Sequence, residues 1–297
     1  MKQTTSGWMW VMCLAAGVLA GCQPPAPPPA NGGPIGPTLD LKELVSRINQ
    51  NNQRIPSLWA NVEYFEAQIY EKPGDKEPVF LNGGGTFMLL KPRWLYFLAT
   101  KDIAGTLVEM GSDPEKFWLT VPQRNTVWVG QWKNVGRPCM TEMPIRPDLI
   151  LDVLGVGDIN PDLAVAPVPT VRVNPDARVY MVVWSQPLED RWYAQREVWY
   201  DLETLLPNKV ILFDLNGRVV LRANLFAHKG VAIEGVPRDR WPKVASRLRL
   251  FFPETRSTMR IDLGDVYLKR NNRPDPRLIR MTAPENFRKI QIDEACD

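Results

Sequence analysis

From residue 57 onward the chain is cut into short apolar runs, and that punctuation limits the folds open to it. "GGTFMLLKP", "RWLYFLAT", "GTLVEMGS", "KFWLTVP", "NTVWVGQW", "RVYMVVWSQ", "YAQREVWYD" and "SRLRLFFP" are rich in Val, Leu, Phe, Tyr and Trp, and each ends near Gly, Pro, Asn or Asp. Runs this short, with β-branched and aromatic residues at alternating positions, read as strands. Together with "ANVEYFEAQIY", "NKVILFDLNGRVVLRANLFAH" and "MRIDLGDVYLKR" they predict about eleven strands. Linked mostly by short turns, they form one antiparallel sheet too large to stay flat. The fold class expected is mainly β (α+β), a large curled antiparallel sheet with a few short helices over its concave side.

Two helices are expected. Leu41, Leu44, Val45 and Ile48 recur at helical spacing behind Thr38 or Asp40 as N-cap, which places a helix at 40–50. "RPDLILDVLGVGD" gives a shorter one at 146–155 with a glycine stop at Gly155. Asn216-Gly217 in "LFDLNGRVVL" predicts a hairpin with a two-residue turn of positive φ angles. "NGGGTF" at 82–87 precedes a strand, so it reads as a flexible hairpin loop and not as a phosphate-binding helix start.

The chain begins with Lys2, an apolar run from Trp8 to Ala20, and small residues before Cys22. This is the order of a secretion signal, too short for a comfortable membrane span of about 20 apolar residues. "LAGC" resembles the bacterial lipobox. The resemblance implies removal of residues 1–21 and acylation of Cys22, a durable anchor because two or more chains bury dozens of methylenes at about 0.8 kcal/mol each. Gln23 stands where aspartate is the usual inner-membrane retention signal, which favours the outer membrane. Residues 22–38 form the lipidated cysteine and a tether, with seven prolines and three glycines after Cys22. At about 3.1 Å per residue in polyproline II the tether reaches roughly 50 Å. The working domain is expected at 39–297.

Without residues 1–21 the balance is 35 basic against 33 acidic residues, which implies no nucleic-acid partner. From Arg238 to Lys289 there are 14 Lys or Arg against 6 Asp or Glu, mostly alternating with apolar residues as on the wet face of strands. Cys139 and Cys296 remain as a leftover pair. In an oxidising envelope they are a candidate disulfide tying the C-terminus to mid-chain. They and the single His228 match no metal-ligand spacing, so no metal or other cofactor is expected. His228 ends a predicted strand, and no nucleophile elbow, P-loop or histidine pair accompanies it. The expectation is a protein that is not an enzyme.

"LVSRINQNNQRIPSLWANVEYFEA", "GGGTFMLLKPRWLYFLA", "EMGSDPEKFWLTVPQRNTVWVG" and "REVWYDLETLLPNKVILFDLNGRVVLRANL", in this order, resemble the LolA/LolB-like lipoprotein-carrier superfamily, which includes RseB-type sensors. The similarity runs through most of residues 39–290 and consists of strand and turn patterns. It implies an open half-barrel with helices as a lid over an apolar cavity for acyl chains. A lipobox is closer to LolB, since LolA is soluble. Nine of the eleven tryptophans lie beyond residue 38, most of them inside strands. A curled sheet encloses space that two short helices scarcely fill, so one apolar face would meet either core or ligand. Alternation pairs Phe87 with Leu89, Phe117 with Leu119, and Val182 with Trp184 as candidate cavity residues. The strand holding Trp128 is apolar at Val127 and Val129 too, which leaves its inward face open.

Two functions follow as expectations. The first is an envelope lipoprotein, anchored to the membrane through Cys22 and facing the periplasm, that shelters an acyl chain, phospholipid or lipoprotein cargo. The second is an RseB-like sensor or protein-interaction module without lipid carriage.

Overall fold

The computed structural model describes residues 38–70, 73–135, 137, 139–140, 143–268 and 279–296. The leader at 1–21, Cys22 and most of the tether lie outside the described residues.

Helix α1 (Leu41–Asn52) starts where the Asp40 carboxylate accepts the Glu43 N–H at 2.8 Å, and its Leu44, Val45 and Ile48 are buried. Helix α2 (Pro147–Val153) opens on Pro147, whose missing N–H costs nothing in the first turn. Gly155 ends it in the left-handed region at φ +69°. Both helices are within two residues of the expected bounds.

Six strands form a first meander: β1 (Ser57–Ile69), β2 (Val79–Leu90), β3 (Trp94–Lys101), β4 (Gly105–Ser112), β5 (Lys116–Val121) and β6 (Thr126–Gln131). A second meander runs through β7 (Val168–Asn174), β8 (Val179–Leu188), β9 (Arg191–Asp201), β10 (Pro207–Phe213), β11 (Val219–Gly230), β12 (Lys243–Phe252) and β13 (Ser257–Tyr267). β14 (Arg288–Gln291) comes last. All belong to one sheet of order β14-β6-β5-β4-β3-β2-β1-β13-β12-β11-β10-β9-β8-β7, whose edges β14 and β7 do not pair, so the curl stays open. The antiparallel β1·β13 pair, centred on Phe65 opposite Ile261, welds the meanders together.

Among the described residues fourteen strands replace the eleven expected, for three local reasons. "NKVILFDLNGRVVLRANLFAH" divides into β10 and β11. β7 is an edge strand that tolerates Pro169 and carries polar residues, and β14 is four residues long and half basic. β14 also pairs parallel with β6, an exception to the antiparallel expectation. The β10–β11 hairpin has a three-residue loop, not a two-residue turn. Asp214 pairs with Arg218 across it, the Asp214 carboxylate accepts the Asn216 and Arg218 N–H groups, and only Gly217 takes positive φ, at +75°. The glycines at 83–85 lie inside β2 and not in a loop. A Cβ on Gly83 would stand 2.2 Å from the Thr100 carbonyl oxygen, and one on Gly85 1.8 Å from that of Leu98. They let β2 bend against β3 beside the β1 irregularity at Val62–Phe65, one of the bulges that curl the sheet.

The inner face of the curl and both helices share one apolar core. A second, smaller core lies on the outer face of the first meander. There Met88, Trp118, Val127 and Val129 pack under Ile279, with Met281 and Ala283 beside them. Beneath this strap Glu109 is buried and accepts hydrogen bonds from the N–H of Thr282, at 3.1 Å, and from its hydroxyl. Beyond β14, Asp293 accepts from the Gln131 N–H at 2.9 Å, Asn134 Nδ2 at 2.8 Å and Gln291 Nε2 at 2.6 Å. A disulfide joins Cys139 to Cys296, with Cα atoms 5.2 Å apart.

Candidate functional site

Strand parity sets the inner surface. Across the first meander the register aligns Ala60, Phe87, Phe97, Met110, Leu119 and Trp128 in one continuous inward row. Across the second it aligns Val182, Val198, Val210, Ala223, Leu250 and Met259. Because cross-strand partners point to the same side, every added strand widens one apolar wall.

Phe87, Leu89, Phe117, Leu119, Val182 and Trp184 all lie on this wall and in one core, each no more than 3% exposed. In this closed arrangement they are packed side chains. Trp128 faces inward, while Val127 and Val129 face the outer core, so both parities of β6 are buried against different material.

The lid over the wall is α1, α2 and the segment after α2. Polar contacts clasp it. Asn49 bonds Ile159 twice, donating to its carbonyl at 2.7 Å and accepting its N–H at 2.8 Å. Asn52 Nδ2 donates to the Gly157 carbonyl at 2.8 Å. Lys91 Nζ, from the end of β2, donates to the Asn52 carbonyl at 2.6 Å and to Asp158 at 2.8 Å. The amide side chains of α1 therefore satisfy backbone groups of the 155–159 turn that burial would otherwise leave unpaired.

β9 carries a cation on its inner side. Arg196 of β9 lies opposite Trp184 of β8 and Leu212 of β10, with its guanidinium 4.2 Å from the Trp184 ring centroid. Its Nη1 is 4.0 Å from Asp152 of α2, and its buried Nε has no hydrogen-bond partner. Asp152 is half-exposed to solvent. Partial desolvation raises its carboxyl above the ordinary range, against the pull of Arg196 and Arg146 and with the help of Asp148. At the head of α2, Arg146 forks onto Asp148 at 2.5 and 3.1 Å. Sequence reading passed over Arg196, although the period-two alternation through Val198 and Tyr200 places it on the inner face. A charged residue at an inward parity was the available signal.

His228 is half-buried on β11, and its Nε2 lies 3.0 Å from the Pro207 carbonyl oxygen. Burial lowers its pKa, the Pro207 carbonyl opposes that, and the nearby Lys243 adds to it. From β11 the ring reaches a backbone carbonyl at the start of β10, a contact across the paired strands. Among the described residues no group of three or more His, Cys, Asp or Glu is placed to hold a metal ion.

No family model matches the chain, and no curated protein matches it. Solved structures do. The chain is similar to an outer membrane lipoprotein-sorting protein domain from Vibrio parahaemolyticus, at 12% identity and TM-score 0.49 over 80% of this chain and 98% of that one. At this identity the likeness is one of fold. A DUF1329 family protein from Desulfovibrio piger matches at 11% identity and TM-score 0.47, covering 77% of this chain and 92% of that one. A LolA superfamily protein from Nitrosomonas europaea matches at 11% and 0.43, covering 82% and 99%.

Proposed function

We propose that this chain is a membrane-anchored envelope protein, held by acylated Cys22 and a tether at 22–38, that admits acyl chains of a lipid or lipoprotein between its curled sheet and helical lid. Residues 1–21 are its cleaved signal, residues 39–297 its working domain, and the periplasmic face of the outer membrane its place. No covalent step is involved.

The observation that supports this reading is the construction of the lid. A fourteen-strand apolar wall is roofed by two short helices whose attachments include a set of polar clasps at Asn49, Asn52, Lys91 and Asp152. The magnitudes permit exchange. Lifting α1 exposes Leu44, Val45 and Ile48 at about 1.5–3 kcal/mol each, whereas a dozen methylenes entering in their place recover about 10 kcal/mol. An acyl chain can thus offset the opening of the lid, and a small polar molecule cannot. Arg196, with an unused donor on the inner side, would meet an anionic or carbonyl end of such a ligand.

The test is native mass spectrometry with lipid extraction on residues 39–297, exported without Cys22, and on the same protein carrying Asn49→Ala. Stoichiometric lipid adducts, with faster uptake of a fluorescent fatty acid in the variant, are expected. A clean mass that stays unchanged after incubation with lipid would sink the reading and leave the core as packing alone.

A further inference from the structure

Among the described residues no segment straps the outer face of the second meander, and its side chains follow a repeated theme. Lys209 Nζ sits 3.8 Å from the centroid of the Trp199 ring. Arg260 lies 4.7 Å over Tyr64, and Arg249 lies 5.6 Å over Phe226, which is 42% exposed. Strand parity puts all of these on the side away from the core: Val210, Leu225, Leu250 and Ile261 point inward, and their neighbours in sequence point out. The register sets Arg249 of β12 beside Arg260 of β13 and opposite Asn224 of β11.

The charge on this face is unbalanced. Asp262 is shared by Arg247 at 3.1 Å and Arg260 at 2.6 Å, and the Glu197 carboxylate is taken by the Trp199 indole N–H at 2.5 Å. Glu66 accepts from the Tyr64 hydroxyl. Arg222 and Arg249 then have no carboxylate partner among the described residues. Exposed Phe226 and the half-buried rings of Trp199 and Tyr64, interleaved with two unneutralised arginines, form a surface whose apolar parts suit a headgroup boundary and whose cations suit its phosphates.

The described chain enters at Leu39, whose N–H donates to the inward Tyr180 hydroxyl of β8 at 2.8 Å, on the core side of the second meander. On the anchored reading the segment back to Cys22, with a reach of roughly 50 Å at most, is long enough to bring the outer face of that half to the membrane.

We propose that the outer face of β10–β13 docks on the anionic phospholipid surface of the membrane that holds the anchor, turning the domain so that one half of its sheet lies against the headgroups; this rests on the anchored reading above. The acylated full-length protein is reconstituted with vesicles of phosphatidylcholine, alone or mixed with phosphatidylglycerol. Flotation reports the anchor. Modification of Arg222 and Arg249 by phenylglyoxal, read by peptide mass spectrometry with exposed Arg124 as reference, reports the docking.

The expected result is flotation with both vesicles, and modification of Arg222 and Arg249 about tenfold slower on the anionic ones, since each basic residue near such a surface contributes about a fivefold preference. High salt should abolish the difference, and Arg222→Glu/Arg249→Glu should remove the protection of Arg247 and Arg260. Equal modification on both vesicles with flotation intact overturns the docking and leaves the anchor standing. Protection that requires added envelope protein overturns it in favour of a protein partner. Failure to float on either vesicle overturns the anchored reading and the docking together.

Discussion

The two halves of the outer surface are built from the same sheet and end in opposite states. On the first meander Trp118 is 1% exposed, sealed with Met88, Val127 and Val129 under residues 279–283. On the second, Trp199 and Phe226 stand at the surface under Lys209 and Arg249. Both faces carry tryptophan. What separates them is whether a distant piece of chain arrives to cover the aromatic residues or long cationic side chains lie over them. The covered half therefore behaves as a second core, in which changes cost stability, and the open half as a surface, in which changes cost association.

The sharpest way to break that contrast is to free the strap. Replacing Cys139 and Cys296 together by serine opens a crosslink spanning 157 residues, and the chain-entropy model values such a loop at about 5 kcal/mol. Denaturant unfolding should show a loss of several kcal/mol, and tryptophan emission should shift to the red as the outer core opens. An unchanged midpoint would mean that the strap is held without the disulfide.

Truncation of matched tryptophans sharpens it next. Trp118→Ala should cost about 3–5 kcal/mol as a buried large-to-small change, and Trp199→Ala about 1 kcal/mol, since that ring is half-exposed. Equal losses would erase the distinction between the faces.

Glu109→Gln keeps one acceptor for Thr282 and loses the other, so about 1–3 kcal/mol is expected, together with faster amide exchange at 279–283 and little change in β9–β13. Exchange that rises throughout the sheet would show that the strap is not a separate unit.

Acid should act on the same end of the molecule. Asp293 lies near the rim but its side chain is sealed from solvent. Burial opposes its ionisation, yet hydrogen bonds from Asn134, Gln291 and the Gln131 N–H outweigh burial and hold the carboxyl below the usual range. A depressed carboxyl stabilises the fold above its unfolded pKa, near 4, and that contribution fades as pH falls through the lower folded value. Asp293→Asn should flatten this part of the stability profile; a profile identical to wild type would assign the acid sensitivity elsewhere.

The smallest effect belongs to the open face. Lys209→Ala should change stability by less than about 1 kcal/mol, the range of an exposed cation–π pair.

Much of this architecture was legible in the sequence. Period-two alternation identified most of the strands and put Phe87, Leu89, Phe117, Leu119, Val182 and Trp184 on shared faces, because a side chain's face along a strand is fixed by local geometry alone. The helical spacing at Leu41–Ile48 and the carboxylate of Asp40 fixed the first helix for the same local reason. Arg196 obeyed the same rule and could have been read from it.

Tertiary structure decided the rest. Val127, Trp128 and Val129 are all buried because one face of β6 meets the main core and the other meets a strap more than 140 residues further on. No local period encodes the arrival of a distant cover. Likewise β14 is four residues that become a strand only against the β6 edge, and the glycines at 83–85 look like a loop until β3 is found pressing on them. Local chain stereochemistry determined which residues form strands and which side each faces. Which of those sides is shut from water depended on contacts between segments far apart in the chain.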